Sequence, residues 1–446
     1  MRKRTTRTTK TFIGLAVLIV TAVALSFVPR IHAAIAWRWD NLQTSIYYYV
    51  HPPQEVVFIP TQQALLTQIM DLPTASPTVT PPPAQTTNTP TITYTPIPAS
   101  VILDNIVFVS QNDRWNFCGP ANLTMALNYW GWTGTKYDVG AVIKPGANDP
   151  TLDPDQRTNT DINVMPYEMV DFVNDTTPYN ALYRYGGDLD LLKRLIAAGF
   201  PVITEKGINQ VLPPEGTLQW AGHFAFTTGF DDIQQVFIWQ DSYLTEAEPI
   251  GKNKRTSYSD YTRYWRAFDY VFIVVYPPER EVKLFQVLGK WTDETWAAQN
   301  ALTIAEQEPK SLTGIDSLFN LFDKGTSYGL SGDYGNAALA YDQFFQLYEA
   351  MPSNDRPYRI FYWYQTGALK AYYYTGRYQD VINLANKHLA SIKSPRSLEE
   401  SLYYRALAEA ELGLYDDAYA DMRQAVYYNM NFKLALDKLS QWGIAP

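Results

Sequence analysis

A stretch near the N-terminus sets the first limit on how this chain can fold. Leu72 to Ser100 reads LPTASPTVTPPPAQTTNTPTITYTPIPAS: Pro and Thr almost throughout, no charge, no apolar periodicity. Proline removes backbone donors and fixes φ, so such a run builds neither helix nor sheet and has no face to bury. It reads as an extended, semi-rigid spacer, open to O-glycosylation, that would reach roughly 90 Å at polyproline-II rise. Globular structure must therefore lie before it or after it.

Little can lie before it. Arg2, Lys3, Arg4, Arg7 and Lys10 precede an unbroken run from Phe12 to Val28, FIGLAVLIVTAVALSFV, with no acid among the first ten residues. A basic flank and an apolar run are the pattern of a signal peptide or a signal anchor. The run is at the short end for a spanning helix, and Ala34-Ile35-Ala36 offers a small-x-small cleavage site. Trp37 and Trp39 suit a membrane interface. The expectation is a retained N-terminal transmembrane helix within residues 1–36, its basic end in the cytoplasm and everything after about residue 30 outside. The alternative is secretion after cleavage. Residues 37–71 then form a juxtamembrane segment whose clusters Tyr47-Tyr48-Tyr49 and Val56-Val57-Phe58-Ile59 have no assignable partner. The 72–100 linker becomes a stalk holding the rest away from a surface.

After the linker, two patterns follow one another. Residues 101–278 mix helical and strand periodicities. Ile102-Leu103 to Val107-Phe108-Val109 suggests a short strand or strands. Asp188 to Ala198 is an amphipathic helix with Leu189, Leu192, Leu195 and Ile196 on one face, stopped by Gly199. Phe200-Pro201-Val202-Ile203 reads as a buried strand. Gly222 to Phe230 and Gln235 to Asp241 read as a hairpin turning at Asp231-Asp232. Phe268 to Tyr276, almost wholly apolar, reads as a central strand. Residues 279–312 are connecting helices. From 313 to 446 the pattern is all-α. Gly332-Asp333-Tyr334, Gly376-Arg377-Tyr378 and Gly413-Leu414-Tyr415 recur between helical stretches, 44 and 37 residues apart. These units resemble tetratricopeptide repeats, with a period of about 34. Gly325, Tyr341 and Phe344 in the first unit, and Ala406, Ala418 and Ala425 in the third, fall on small and aromatic positions; the second has Val381 where Ala is usual. The resemblance implies a helical array that binds a protein partner.

Chemistry is narrowed by scarcity. Cys118 is the only cysteine in 446 residues and there are four histidines, His32, His51, His223 and His388. One cysteine excludes an internal disulfide and a multi-cysteine zinc or iron–sulfur site, and no cofactor is implied. A net charge of −9 argues against nucleic acid as a partner. Cys118-Gly119-Pro120 opens an apolar periodic stretch, so Cys118 sits at a helix N-terminus. The dipole and unpaired N–H groups there favour a thiolate, although a buried core cysteine is the plainer reading. Only His223 shares its domain, after Gly222 at the start of a strand. Asp241 ends the next strand and would come out roughly opposite His223 across the hairpin. Nucleophile, base and orienting acid are then in hand, with Gln111 as a side-chain donor for an oxyanion.

Gln111…Cys118-Gly119-Pro120-Ala121, Gly222-His223-Phe224-Ala225 with Gly229-Phe230-Asp231, and Asp241-Ser242-Tyr243 together resemble the papain-like cysteine peptidases. The nearest branch is the double-glycine leader (bacteriocin-processing) peptidases. The resemblance covers roughly residues 101–278. It implies an α+β domain with Cys118 on a helix packed against an antiparallel sheet carrying His223 and Asp241, and Gln111 as oxyanion donor. Two positions depart from the pattern: Gln111 stands seven residues before Cys118, one more than is usual, and Ser242 follows Asp241 where Pro is frequent. Asn112 or Asn116 are substitutes for the Gln role. No Walker A motif is present, so a fused exporter ATPase is not implied. The expected function is a membrane-tethered, extracytoplasmic cysteine peptidase acting on peptide or protein. Its competitors are an inactive papain-like scaffold at the cell surface and an amidase or transpeptidase acting on cell-wall peptide.

Overall fold

A computed structural model describes residues 57–61, 97–114, 116–153, 157–158, 160–212, 217–244, 251–308, 312–352, 355–356, 361–392 and 397–446. The apolar run 12–28 expected to cross a membrane lies outside them, as does most of the 72–100 linker. Among the described residues no helix is long and apolar enough to cross a membrane.

Among the described residues, seven strands form one sheet: β1 (Ser100–Ile102), β2 (Asn180–Arg184), β3 (Val202–Leu212), β4 (Thr217–Asp231), β5 (Val236–Gln240), β6 (Lys254–Ser257) and β7 (Phe272–Tyr276). Their order is β2-β7-β3-β4-β5-β6, with β1 also on β4, and every pairing is antiparallel. Alternate residues serve opposite faces. Ile203, Phe224, Phe226, Ile273 and Val275 meet α1 (Cys118–Tyr129), α2 (Lys136–Ile143) and α3 (Pro166–Thr176) through Leu123, Met125, Val139, Met169 and Val173. Val202, Ala225, Phe272 and Val274 meet α4 (Leu189–Ala197), α5 (Tyr258–Arg266) and α6 (Glu281–Leu288) through Leu192, Leu195, Trp265 and Leu284. Helix α4 follows its sequence signals. The Asp188 carboxylate accepts the Leu191 N–H at 2.7 Å, and Gly199 leaves the helix at φ 85°.

Three local expectations are corrected. Residues 107–109 pair with nothing; only β1 enters the sheet from that region. The strand expected over 268–276 is confined to β7, because Asp269 and Tyr270 take left-handed φ of 49° and 54°. The hairpin turn lies at Asp232–Gln235 and β4 is bulged between Thr227 and Gly229, so Phe226 pairs with Gln240. Asp241, one step past that pair, is diagonal to His223 rather than opposite it.

The C-terminal half is helical: α7 (Glu294–Gln307), α8 (Ile315–Leu330), α9 (Tyr334–Ala350), α10 (Phe361–Tyr364), α11 (Gly367–Tyr374), α12 (Tyr378–Ala390), α13 (Glu399–Glu411), α14 (Tyr415–Tyr428) and α15 (Lys433–Trp442). The recurring Gly-x-Tyr triplets are the turns between α8 and α9, α11 and α12, and α13 and α14. Gly332, Gly376 and Gly413 sit at φ 77°, 73° and 78°, and Tyr334, Tyr378 and Tyr415 begin the next helix. Gly325 lets the Tyr341 ring in: a Cβ there would lie 2.6 Å from it.

This half shares a core with the sheet. Trp220 stacks on Phe268 at 5.7 Å and on Phe319 of α8 at 5.2 Å. A second contact is polar. Asp161 and the half-buried Glu168 meet Glu399 and Glu400 of α13 in a group whose pKa values are all raised, first by burial and then by one another's charge or, at Glu399, by burial against opposing hydrogen bonds. Lys144 donates to the Asp161 carbonyl beside them. Glu400 is pushed up to about 8, above its ordinary 4.5, so the unfolded chain loses that proton first and stability falls as pH rises between those values. Glu400→Gln keeps the bond that Asn163 Nδ2 donates at 3.2 Å. It is expected to raise stability by on the order of 1–3 kcal/mol at pH 8 and by little at pH 5, read as thermal unfolding at the two pH values.

Candidate active site

Cys118 is the first residue of α1, and Phe117 before it makes no side-chain cap. The first N–H groups of the helix are thus free to face an anion. Four residues on, on the same side of the helix, Asn122 Nδ2 lies within reach of three acceptors: Cys118 O at 2.8 Å, Phe224 O at 3.1 Å and Ser242 Oγ at 3.1 Å. One amide therefore ties the helix start to β4 and to the loop after β5. Gly119 fits against Val164, whose side chain would be 3.1 Å from an added Cβ.

His223 lies on β4 beside Gly222, where a Cβ would sit 2.9 Å from the Tyr364 ring. Its Nε2 is 2.9 Å from Asp241 Oδ1. The other ring nitrogen, Nδ1, is left for Cys118, whose thiol hydrogen-bonds this histidine. Asp241 is engaged twice more: Lys254 Nζ at 2.8 Å from Oδ2, and the Tyr243 N–H at 3.2 Å from Oδ1. Burial opposes the charge on all three groups, and their mutual attraction prevails. Burial pushes the Cys118 thiol up, but the hydrogen bond and charge of His223, then the Phe224 backbone N–H, hold it below its ordinary value. Burial pushes His223 down, but Asp241 and Cys118 raise it to about 9. Burial pushes Asp241 up, but His223 and Lys254 hold it well below the carboxylate range. The arrangement favours a thiolate–imidazolium pair.

Gln111 is brought to the same place. Its backbone N–H donates to Ser242 O at 2.8 Å, and its Oε1 accepts from Ser242 Oγ at 2.9 Å. The amide oxygen is thereby taken and the NH2 group is the end left to donate. Ser242, unusual after the acid, is thus what orients Gln111. The long interval to Cys118 is compacted by a turn, Arg114 N to Gln111 O at 2.8 Å, and by Asn116 at φ 49°. The substitutes are occupied elsewhere: Asn112 donates to Leu244 O at 3.2 Å, and Asn116 donates to Ile162 O and accepts from Tyr364 Oη at 3.2 Å. The other described histidine, His388, is a core residue on Ser401 Oγ at 2.9 Å, its pKa lowered to about 3 by burial.

Sequence reasoning missed four neighbours. Asn122 was accessible, being one helical turn from Cys118. Lys254 and Glu205 had no signal. Glu205 is buried, and its carboxyl is pushed well up by burial and by the charge on Cys118, so it stays protonated beside the thiolate. Tyr364 comes from the helical half, and the charge on Cys118 also acts on it. Together with Phe268, Asp269, Asp323 and Gln365, Glu205 and Tyr364 line a cavity of about 50 Å³.

Residues 103–273 match the model of the Peptidase_C39 like family. No curated protein matches the chain. A solved chain from Bacillus anthracis, described as a C39-like peptidase, is 17% identical over 40% of this chain and 96% of its own, with a TM-score of 0.30. Most of the antiparallel sheet and the helix that begins at Cys118 fall within the matched stretch, so residues 103–273 are similar to the Peptidase_C39 like family in sequence and carry its expected helix-on-sheet arrangement.

Proposed function

We propose that the chain is an extracytoplasmic cysteine peptidase, tethered to a membrane within residues 1–36, that hydrolyses peptide amides through a thioester on Cys118. One observation carries the reading: the only cysteine starts a helix and hydrogen-bonds a histidine whose far nitrogen is held by a carboxylate. The thiolate attacks the amide carbonyl, forming a C–S bond and an oxyanion. The Cys118 backbone N–H and the Gln111 amide receive that charge. His223 Nδ1–H protonates the leaving amine, the C–N bond breaks, and a thioester remains. Water then attacks the thioester while His223 takes its proton, releasing the acid and restoring the pair. Asp241 keeps the imidazole in this orientation throughout. The tether rests on the basic residues 2–10 ahead of the apolar run 12–28.

A second reading has its own observation. Cys118 is 5% exposed and Tyr364 of the helical half is close enough to feel its charge, so a catalytically idle scaffold, or an enzyme closed until that half moves, is the competitor. The test is a peptide library and purified cell wall, each followed by mass spectrometry of products and of the intact chain. The expected result is peptide cleavage and a transient acyl adduct on Cys118. Release of cell-wall peptide alone would assign amidase chemistry. A folded chain with neither product nor adduct would sink the peptidase reading.

A further inference from the structure

Residues 57–61, Val-Phe-Ile-Pro-Thr, lie before the Pro/Thr-rich linker in sequence and against the helical half in space. They belong to no helix or strand. Phe58 and Pro60 are buried, whereas Ile59 and Thr61 are exposed. Phe58 meets Phe345 of α9 edge-on at 4.8 Å and Tyr372 of α11 at 6.0 Å, and its backbone hydrogen-bonds Tyr362 of α10. Thr61 sets its backbone N–H on Asp380 Oδ1 at 3.2 Å and its hydroxyl on Oδ2 at 3.1 Å.

The receiving side is ordered independently of the segment. Arg377 holds Asp380 Oδ2 through Nε at 2.9 Å and Nη2 at 2.8 Å. The same guanidinium grips Asp342 of α9 at 2.8 and 3.0 Å, and Tyr372 Oη donates to Asp342 at 2.8 Å. A carboxylate fixed in this way loses little freedom on binding, so the site is preorganised for a peptide N–H and hydroxyl side by side. The segment contributes one aromatic anchor, a proline that limits its unbound conformations, and two polar contacts.

We propose that residues 57–61 are a detachable latch, a short linear peptide seated in a preformed groove of helices α9 to α12. The groove reads an aromatic residue, a proline two positions later and a hydroxyl residue three positions later. This alters the role of the linker. With the latch seated, the chain on both sides of residues 62–96 rests on one body, β1 at the far end and Thr61 at the near end. With the latch released, the same residues become a spacer of roughly 110 Å between residue 61 and the sheet. A linker of this length keeps the segment at a high effective concentration, so a modest peptide affinity holds it in place and still permits exchange. The inference extends the expectation that the helical half binds a protein partner and is independent of catalysis.

The test uses the full chain with Cys118→Ala, which removes both hydrolysis and the only native thiol. A fluorescent peptide of residues 54–63 is titrated into this chain and into the same chain carrying Phe58→Ala, with fluorescence anisotropy as readout. The Phe58→Ala chain is expected to bind the peptide at least tenfold more tightly, because its groove is vacated. Peptides carrying Phe58→Ala are expected to lose at least tenfold in affinity and those carrying Thr61→Val severalfold; changes in the peptide leave the fold of the receptor untouched. In parallel, spin labels on cysteines introduced at the exposed position 59 and at 387 should report a short distance that lengthens on Phe58→Ala. Equal binding to both chains, indifference to the peptide changes or an unaltered label distance would overturn the latch. A concentration-dependent dimer of the unlatched length would assign the segment to a second copy, and overturn it as an intramolecular device.

Discussion

The Cys118→Ala chain is expected to cleave no peptide above background, a fall in kcat/KM of about 10⁴-fold or more against the intact chain. The size follows from the mechanism. Without the sulfur no acyl-enzyme forms, and His223, Asp241 and Gln111 have only water to act on. Removing one member of a catalytic unit costs about as much as removing the unit. Asn122 ties the helix start to Phe224 and Ser242 through the backbone carbonyl of Cys118 and its own amide, and Cys118→Ala leaves both groups in place. The fold should therefore survive, and circular dichroism with thermal unfolding separates lost chemistry from lost structure. Residual cleavage within tenfold of the intact chain would exclude Cys118 as nucleophile. Serine in its place is expected to fail nearly as far, since His223 cannot hold a hydroxyl as its anion at neutral pH.

The second large effect is a pH profile. Below the lowered thiol value the sulfur carries its proton, and above about 9 His223 loses its own. Activity and iodoacetamide alkylation of Cys118 should therefore both be high through neutrality, and activity should fall as pH passes about 9. In His223→Ala the favourable interaction vanishes while burial stays. The thiol then returns to or above its ordinary value of about 8.5, and alkylation at pH 7 should slow by about tenfold to a hundredfold. An unchanged alkylation profile would break the proposed pair. Stability carries the same sign. A histidine raised from 6.5 to about 9 stabilises the fold fully below 6.5 and loses that contribution as pH rises through about 9. Intact chain and variant should accordingly converge in thermal stability at high pH, not at low pH.

Much of the candidate site was legible because its parts rest on local rules. A cysteine before Gly-Pro at the head of an apolar periodic stretch can only start a helix, and it does. A histidine after Gly222 in an alternating run lies on a strand, and it does. The pairing of His223 with Asp241 was expected for a partly wrong reason. The hairpin turn is longer than Asp231-Asp232 and β4 carries a bulge, so the acid arrives on the diagonal. The bulge between Thr227 and Gly229 moves the register by one residue, which sets Asp241 beside Ala225 and on the sheet face of His223, and a diagonal neighbour remains within reach of an imidazole. Lys254, Glu205 and Tyr364 had no local signature. Each is near the site through pairing or packing between segments remote in the chain, which no short-range pattern encodes.

The linker shows the limit most plainly. Its composition disfavours a helix, a strand or a core, although its last residue, Ser100, opens β1 and Ile97 packs on the core beneath the sheet. Composition says nothing about what its ends touch. From sequence a stalk is expected; Thr61, eleven residues before it, rests on Asp380, and Ser100 at its end enters β1 beside β4. By itself, the sequence determined what each stretch can form: the helix that begins at Cys118, the strand of His223, and the αL turns at Gly332, Gly376 and Gly413. These follow from φ/ψ preference, capping and periodicity over a few residues. Only the tertiary structure decided what meets what: Ser242 orienting Gln111, Tyr364 beside Cys118, Phe58 among Phe345 and Tyr372. Such contacts are selected by burial and hydrogen-bond satisfaction summed over the whole chain, so they exist only once it has folded.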